Sequence, residues 1–194
     1  MTLLDPPASA LLHSASDGDL QARAGLVRQF APLVLSWCAH LANGAIDEED
    51  AAHDVLVIVL DHLGDVRDPE AFPAWLWRVT SREVFRQVRL ARLRAWLPFF
   101  TSWTGAPDPL ARDRVDDVED DDLVRRVRAA IGSLPPRQRE VLVLCGLCRY
   151  TDDEAAFLLQ LPLGTVKSRL RRARGRFRRE ATARGLDPVR EGAK

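Results

Sequence analysis

Between Thr165 and Glu180 the chain sets one lysine and seven arginines against a single acid. Guanidinium groups are permanently charged forks that match phosphate and carboxylate oxygens, so this stretch is equipped to hold a polyanion. Other reactive side chains are dispersed. Cys145 and Cys148 form Cys-Gly-Leu-Cys, the spacing of a redox or zinc pair, but no further ligands stand near them in sequence. Small buried thiols are therefore expected. His13, His40, His53 and His62 are scattered without ligand spacing. No phosphate-binding glycine loop and no readable Ser/His/Asp set occurs, so neither catalysis nor a cofactor nor a metal is expected.

The elements that must position the basic stretch read as helices. Leu123 to Leu147 gives a helix, a break at Leu134 to Pro136 and a second helix, and Thr151 with Glu154 three residues on has the form of a capping box. After the short turn Gln160 to Leu163, a helix from near Gly164 places Val166, Leu170, Ala173 and Phe177 on one stripe, leaving the arginines outside. Two short helices joined by a tight turn, the second basic, predict a helix-turn-helix with a recognition helix. Phosphate contacts would supply affinity, and only side chains near the helix start, such as Lys167 or Arg171, would reach base edges. A membrane surface or an acidic protein is the alternative partner for such a helix.

Further upstream, Asp47 is a fair N-cap for a helix that stops at Gly64, with Glu48, Glu49 and Asp50 at its positive end. Its run Val-Leu-Val-Ile-Val-Leu also suits a strand, but the caps favour helix. From Pro69 to Trp96 a basic amphipathic helix puts Trp77, Ser81, Val84 and Val88 on one face and Arg78, Arg82, Arg86, Arg89 and Arg92 on others. Phe72, Trp75 and Trp77 suit either a core or stacking on unpaired bases. Leu97 to Asp122 holds three prolines, a glycine and a dense acidic run, which predicts a flexible linker. A coil of that length spans roughly 25 to 31 Å and reaches about 85 Å when extended. Phe99, Phe100 and Trp103 within it are expected to dock on something rather than stay wet.

The 194 residues carry no net charge, yet the charges are segregated. Residues 1–70 hold 3 basic and 12 acidic side chains, 71–107 hold 6 and 1, 108–122 hold 2 and 8, and 123–194 hold 17 and 7. Two basic zones separated by acidic ones can sit on a polyanion while the acidic zones stay off it. Solvated helix faces with a chance clustering of arginine are the alternative. No run of about 18 apolar residues and no basic n-region occurs, and three cysteines suit a reducing compartment, so cytoplasmic residence is expected.

Leu-Pro-Pro-Arg-Gln-Arg-Glu-Val-Leu-Val-Leu from Leu134, followed by the capped helix and Gly-Thr-Val-Lys-Ser-Arg-Leu-Arg-Arg-Ala-Arg from Gly164, resembles region four of the bacterial extracytoplasmic-function sigma factors. Glu48 to Val57 and Phe72 to Arg89 resemble region two of the same family. The resemblance implies an all-α protein of two small helical domains on a flexible acidic linker. Its parts would be an N-terminal tail (1–14), a region two-like domain (15–96), the linker (97–122), a region four-like domain (123–185) and a C-terminal tail (186–194). The implied partners are core RNA polymerase, promoter DNA and an anti-sigma factor, and the active protein would sit on the nucleoid. For the minus-thirty-five element it implies Thr165, Lys167, Ser168, Arg169, Arg171, Arg172 and Arg174. For the minus-ten element it implies Trp75, Arg78, Arg82, Arg86 and Arg89, and for polymerase Asp50, His53, Asp54, Leu56 and Val57.

Departures from the family pattern fall at His53 and Asp54, where Gln-Glu is common, and at Leu56, where Phe is usual. Arg82 and Arg86 stand where Asn and Asp are frequent. An arginine offers donors only, where an asparagine presents a bidentate amide, so the minus-ten preference is expected to depart from the family's. Gln160 and Pro162 replace a turn Gly and a capping Ser, and Arg149 replaces a Gly. The expected function is promoter recognition and transcription initiation. The alternatives are a sigma-like decoy that binds a regulator and a stand-alone helix-turn-helix repressor.

Overall fold

The computed structural model describes residues 7, 9–96 and 122–186, all of its regular structure helical. Most of the expected linker, with Phe99, Phe100 and Trp103, lies outside the described residues, as does most of the expected C-terminal tail. The first unit comprises α1 (Ser9–Ser16), α2 (Leu20–Ala42), α3 (Glu48–Asp61) and α4 (Phe72–Trp96). The second comprises α5 (Asp122–Gly132), α6 (Pro136–Leu142), α7 (Asp152–Leu159) and α8 (Leu163–Ala183). Residues 9–14, read as tail from the sequence, lie in α1, where Leu12 is buried.

Caps set most of the boundaries. Asp19 opens α2 by accepting from the amides of Gln21 and Ala22, and Asp47 opens α3 by accepting from those of Glu49 and Asp50. The acids that follow Asp47 suit the positive end of the dipole. Gly64 is not the stop of α3. The helix ends at His62, whose amide closes on Ile58 and Val59, and Gly64 falls in a following 3₁₀ turn. The β-branched run is helical, settled by burial of Val55 and Val59 one turn apart.

In the first unit α2, α3 and α4 pack around Trp37 and Trp77, whose rings meet edge-on at 5.0 Å, with Phe30 on Phe72 at 4.9 Å. Trp77, Ser81, Val84 and Val88 are all buried, so the apolar stripe expected on α4 is its core face. In the second unit α6 packs on α8, and Val166, Leu170 and Ala173 are buried with Phe177 half-buried beside them. A π-helical turn at Val143–Leu147 links α6 to the approach of α7.

The two units are closed on each other. α4 lies against α7, the π turn touches α2, and Val141, Leu144, Tyr150, Ala155 and Leu158 belong to the same buried cluster as Trp37 and Trp77. At the rim, Asn43 donates its side-chain amide to the Arg128 carbonyl, and Arg92 donates to the Gly132 carbonyl at 3.3 Å. Asn43 reaches across because α2 ends on it in the left-handed conformation, φ 54°, which asparagine tolerates better than most residues.

Candidate nucleic-acid interface

The capped turn between α7 and α8 orients the basic helix. Thr151 accepts from the Glu154 amide, and Glu154 accepts from the Thr151 amide at 2.8 Å, a complete capping box. Gln160 ends α7 in the left-handed region at φ 51°, and Pro162, extended and without a side-chain cap, precedes α8. The two positions at which this chain lacks an expected glycine, Arg149 and Gln160, both have positive φ, 59° and 51°. Fold geometry therefore persists where the permissive residue does not.

On α8, Lys167, Arg171, Arg172 and Arg174 are exposed, while Thr165 and Ser168 are half-buried near its start. Ser168 returns its hydroxyl to the Thr165 carbonyl at 3.0 Å. The exposed cations form one continuous face opposite the buried stripe, the arrangement by which a helix lies along a groove with its charges toward phosphates. Arg169 is turned elsewhere. It lines a groove of about 350 Å³ against α4, together with Arg78, Arg137 and Glu140.

Burial pushes the Glu140 carboxyl above its ordinary range, against the Ser81 hydroxyl and the charges of Arg169 and Arg137, which pull it back. Arg78 and Arg169, assigned to two different promoter elements by resemblance, thus face the same interdomain groove.

The basic face of α4 has a different setting. Arg78, Arg82, Arg86 and Arg89 are exposed, but Arg82, Arg86 and Arg89 line a cleft whose other wall is the turn from Gly132 to Pro136. Arg86 is held by Glu83, whose oxygens accept from Nε at 2.8 Å and from Nη2 at 2.5 Å. Arg86 beside it keeps the Glu83 carboxyl below the usual range, and Gln87 adds a further hydrogen bond. Trp75 is half-buried and packs on Phe72 at 5.8 Å, while Phe72 and Trp77 are wholly core.

On α3, Asp50, His53, Asp54 and Val57 are exposed at successive turns of one face, with Leu56 half-buried at its edge. Gln87 donates to Asp54 at 3.0 Å and ties this face to α4. Val57 is among the exposed large apolar side chains. Sequence reasoning missed Arg139, which is 3% exposed and caps α5 by donating to the Gly132 and Leu134 carbonyls at 2.6 and 3.2 Å. Its signal was an arginine three residues past a Pro-Pro break. Cys145 and Cys148 are half-buried rather than buried, and desolvation pushes their thiols up to about 11 and about 12, so neither is a ready thiolate.

A helical unit with an exposed acidic and apolar stripe, joined in one chain to a helix-turn-helix with an exposed basic face, defines a two-module helical protein of the DNA-binding class. Comparison with known proteins is more specific. Residues 26–94 match the family model Sigma-70 region 2, and residues 125–177 match Sigma-70, region 4. The chain is 31% identical over 170 residues to the ECF RNA polymerase sigma factor RpoE of Cereibacter sphaeroides, covering 87% of this chain and 92% of that one. It is also 31% identical over 156 residues to the ECF RNA polymerase sigma factor SigE of Mycolicibacterium smegmatis, covering 79% of this chain and 59% of that one. Among solved structures, CnrH in complex with the cytosolic domain of CnrY superposes with a TM-score of 0.59 at 26% identity, covering 90% of this chain and 96% of that one. The chain belongs to the ECF sigma factors of bacterial RNA polymerase.

Proposed function

We propose that this chain binds core RNA polymerase through α3, places α8 on the minus-thirty-five duplex and α4 on the minus-ten element, and so directs transcription initiation. The domain limits taken for this reading are 15–96 and 123–185, with 97–122 as the tether. Asp50, His53, Asp54, Leu56 and Val57 form the polymerase face. Thr165, Lys167, Ser168, Arg171, Arg172 and Arg174 serve the upstream element, and Arg169 joins them once the units part. Trp75, Arg78, Arg82, Arg86 and Arg89 serve the downstream one. Acting on promoters, the protein would work at the nucleoid.

The observation that carries the reading is the separation of exposed surfaces. The α3 stripe and the outer face of α8 are exposed in the closed molecule, whereas much of the basic face of α4 looks into a cleft. Two promoter elements about two helical turns apart lie roughly 70 Å from each other, so domains that share a core must separate to reach both. Polymerase binding at α3 is then the event that opens the chain, and tethering makes two weak DNA sites act together. The solved complex of CnrH with the cytosolic domain of CnrY supports a second protein partner, in this reading an anti-sigma factor. The test is co-purification of the full chain with core polymerase, with and without Val57→Glu. Retention that depends on Val57 supports the reading, and no retention of either form overturns it.

A further inference from the structure

Between α4 and the α5–α6 turn lies a cleft of about 810 Å³. Arg82, Arg86, Arg89 and Arg92 enter it from one face of α4, and Arg139 lies on the opposite wall; among the described residues no acid is part of its lining. Arg86 has Glu83 as a partner and Arg92 reaches a carbonyl, but the cleft retains a large excess of positive charge. Arg139 is the decisive member. It is 3% exposed, stands over the Phe85 ring and donates from Nη2 to two carbonyls, and among the described residues its buried Nε has no hydrogen-bond partner. Burial and the nearby Arg92 pull its pKa down to about 10.

We propose that this cleft binds a small phosphate-rich anion, which bridges the two units and latches the closed form. The planar guanidinium forks of α4 are suited to tetrahedral phosphate oxygens, which accept from several directions at once, and Arg139 adds its charge from behind the facing wall. The volume is in the range of small-molecule sites, about 300 to 1,000 Å³, and the facing wall excludes a duplex from the same space. A bound oligophosphate would neutralise the repulsion between Arg92 and Arg139 across the interface. It would also compete with promoter DNA for Arg82, Arg86 and Arg89, so the ligand acts as a brake. The inference rests on the closed arrangement and on the proposed role of α4, but its test needs neither polymerase nor promoter.

The full-length chain is titrated calorimetrically with inorganic tripolyphosphate, while a donor–acceptor pair placed on α2 and α8 reports the distance between units. The expected result is saturable binding of one equivalent that slows domain opening. Affinity should fall roughly tenfold or more in Arg89→Ala/Arg92→Ala, as for loss of charged hydrogen bonds, and less in Arg92→Lys. Arg172→Ala/Arg176→Ala, on the separate arginine cluster of α8, should leave it within about twofold. Loss in the α8 variant with retention in the α4 variant would overturn the site. Equal affinity for a hexaglutamate peptide would overturn the phosphate chemistry, and binding without an effect on opening would overturn the latch. Thermal melts of each variant separate a lost site from a lost fold.

Discussion

The guanidinium of Arg139 stands over the ring of Phe85, 5.7 Å from its centroid, and so joins α6 to the middle of α4. Cation and ring come from different units, which makes the pair a reporter of closure. Phe85→Ala removes the ring from a half-buried position and should destabilise the closed form by about 1 to 2 kcal/mol, below the range for a full core deletion. Small-angle scattering should show a larger radius of gyration for this variant, and an unchanged radius would mean that the pair does not hold the units together.

On the proposed reading, the exposed cations of α8 would set DNA affinity through phosphates. Replacing Arg171 or Arg172 by Ala should weaken binding to a minus-thirty-five duplex and reduce the slope of log affinity against log salt by about 1 for each phosphate that is no longer neutralised. Lys167→Ala, nearer the helix start, should instead change which sequence is preferred. Filter binding over a salt series, on matched and mismatched duplexes, distinguishes the two effects.

Left-handed non-glycine residues cost energy that this fold carries at Arg149 and Gln160. Arg149→Gly should raise stability by about 0.5 to 1 kcal/mol, because glycine adopts positive φ without the Cβ clash while losing more freedom on folding. Thr151→Ala should lower it by about 1 kcal/mol through loss of the cap on α7. Denaturant midpoints measured with fixed slopes check both.

Two glutamates give stability a pH dependence of opposite sign. Glu140 has a carboxyl raised by burial, so its contribution favouring the fold is lost as pH rises through that raised value and grows as pH falls through it. Glu83 has a carboxyl lowered by Arg86, so its contribution is present above the ordinary value of 4.5 and is lost on acidification through the lowered value. Melting temperature should therefore rise slightly from neutral pH into the mildly acidic range and fall below it. Glu140→Gln should abolish the rise, and Glu83→Gln should flatten the fall.

Much of this was legible in the chain because local signals agreed. Asp47, Thr151 and Glu154 are cap residues at the places where helices begin, and the stripes on α4 and α8 are buried at helical spacing. Gly64 misled because glycine is also used in tight turns, and His62 already closed α3. The contact between units was not legible. It depends on Asn43, Arg92 and Ser81 meeting groups between 40 and 85 positions away, and no periodicity within either helix reports a partner across such distances.

Core polymerase loaded with this chain should make a discrete transcript from a promoter whose minus-thirty-five element binds α8, and Arg171→Ala should reduce that transcript while Val57→Glu abolishes it. Run-off transcription with purified components is the most direct test. A transcript of the same length and yield without the chain, or none with it although the chain is bound to core enzyme, would contradict the account.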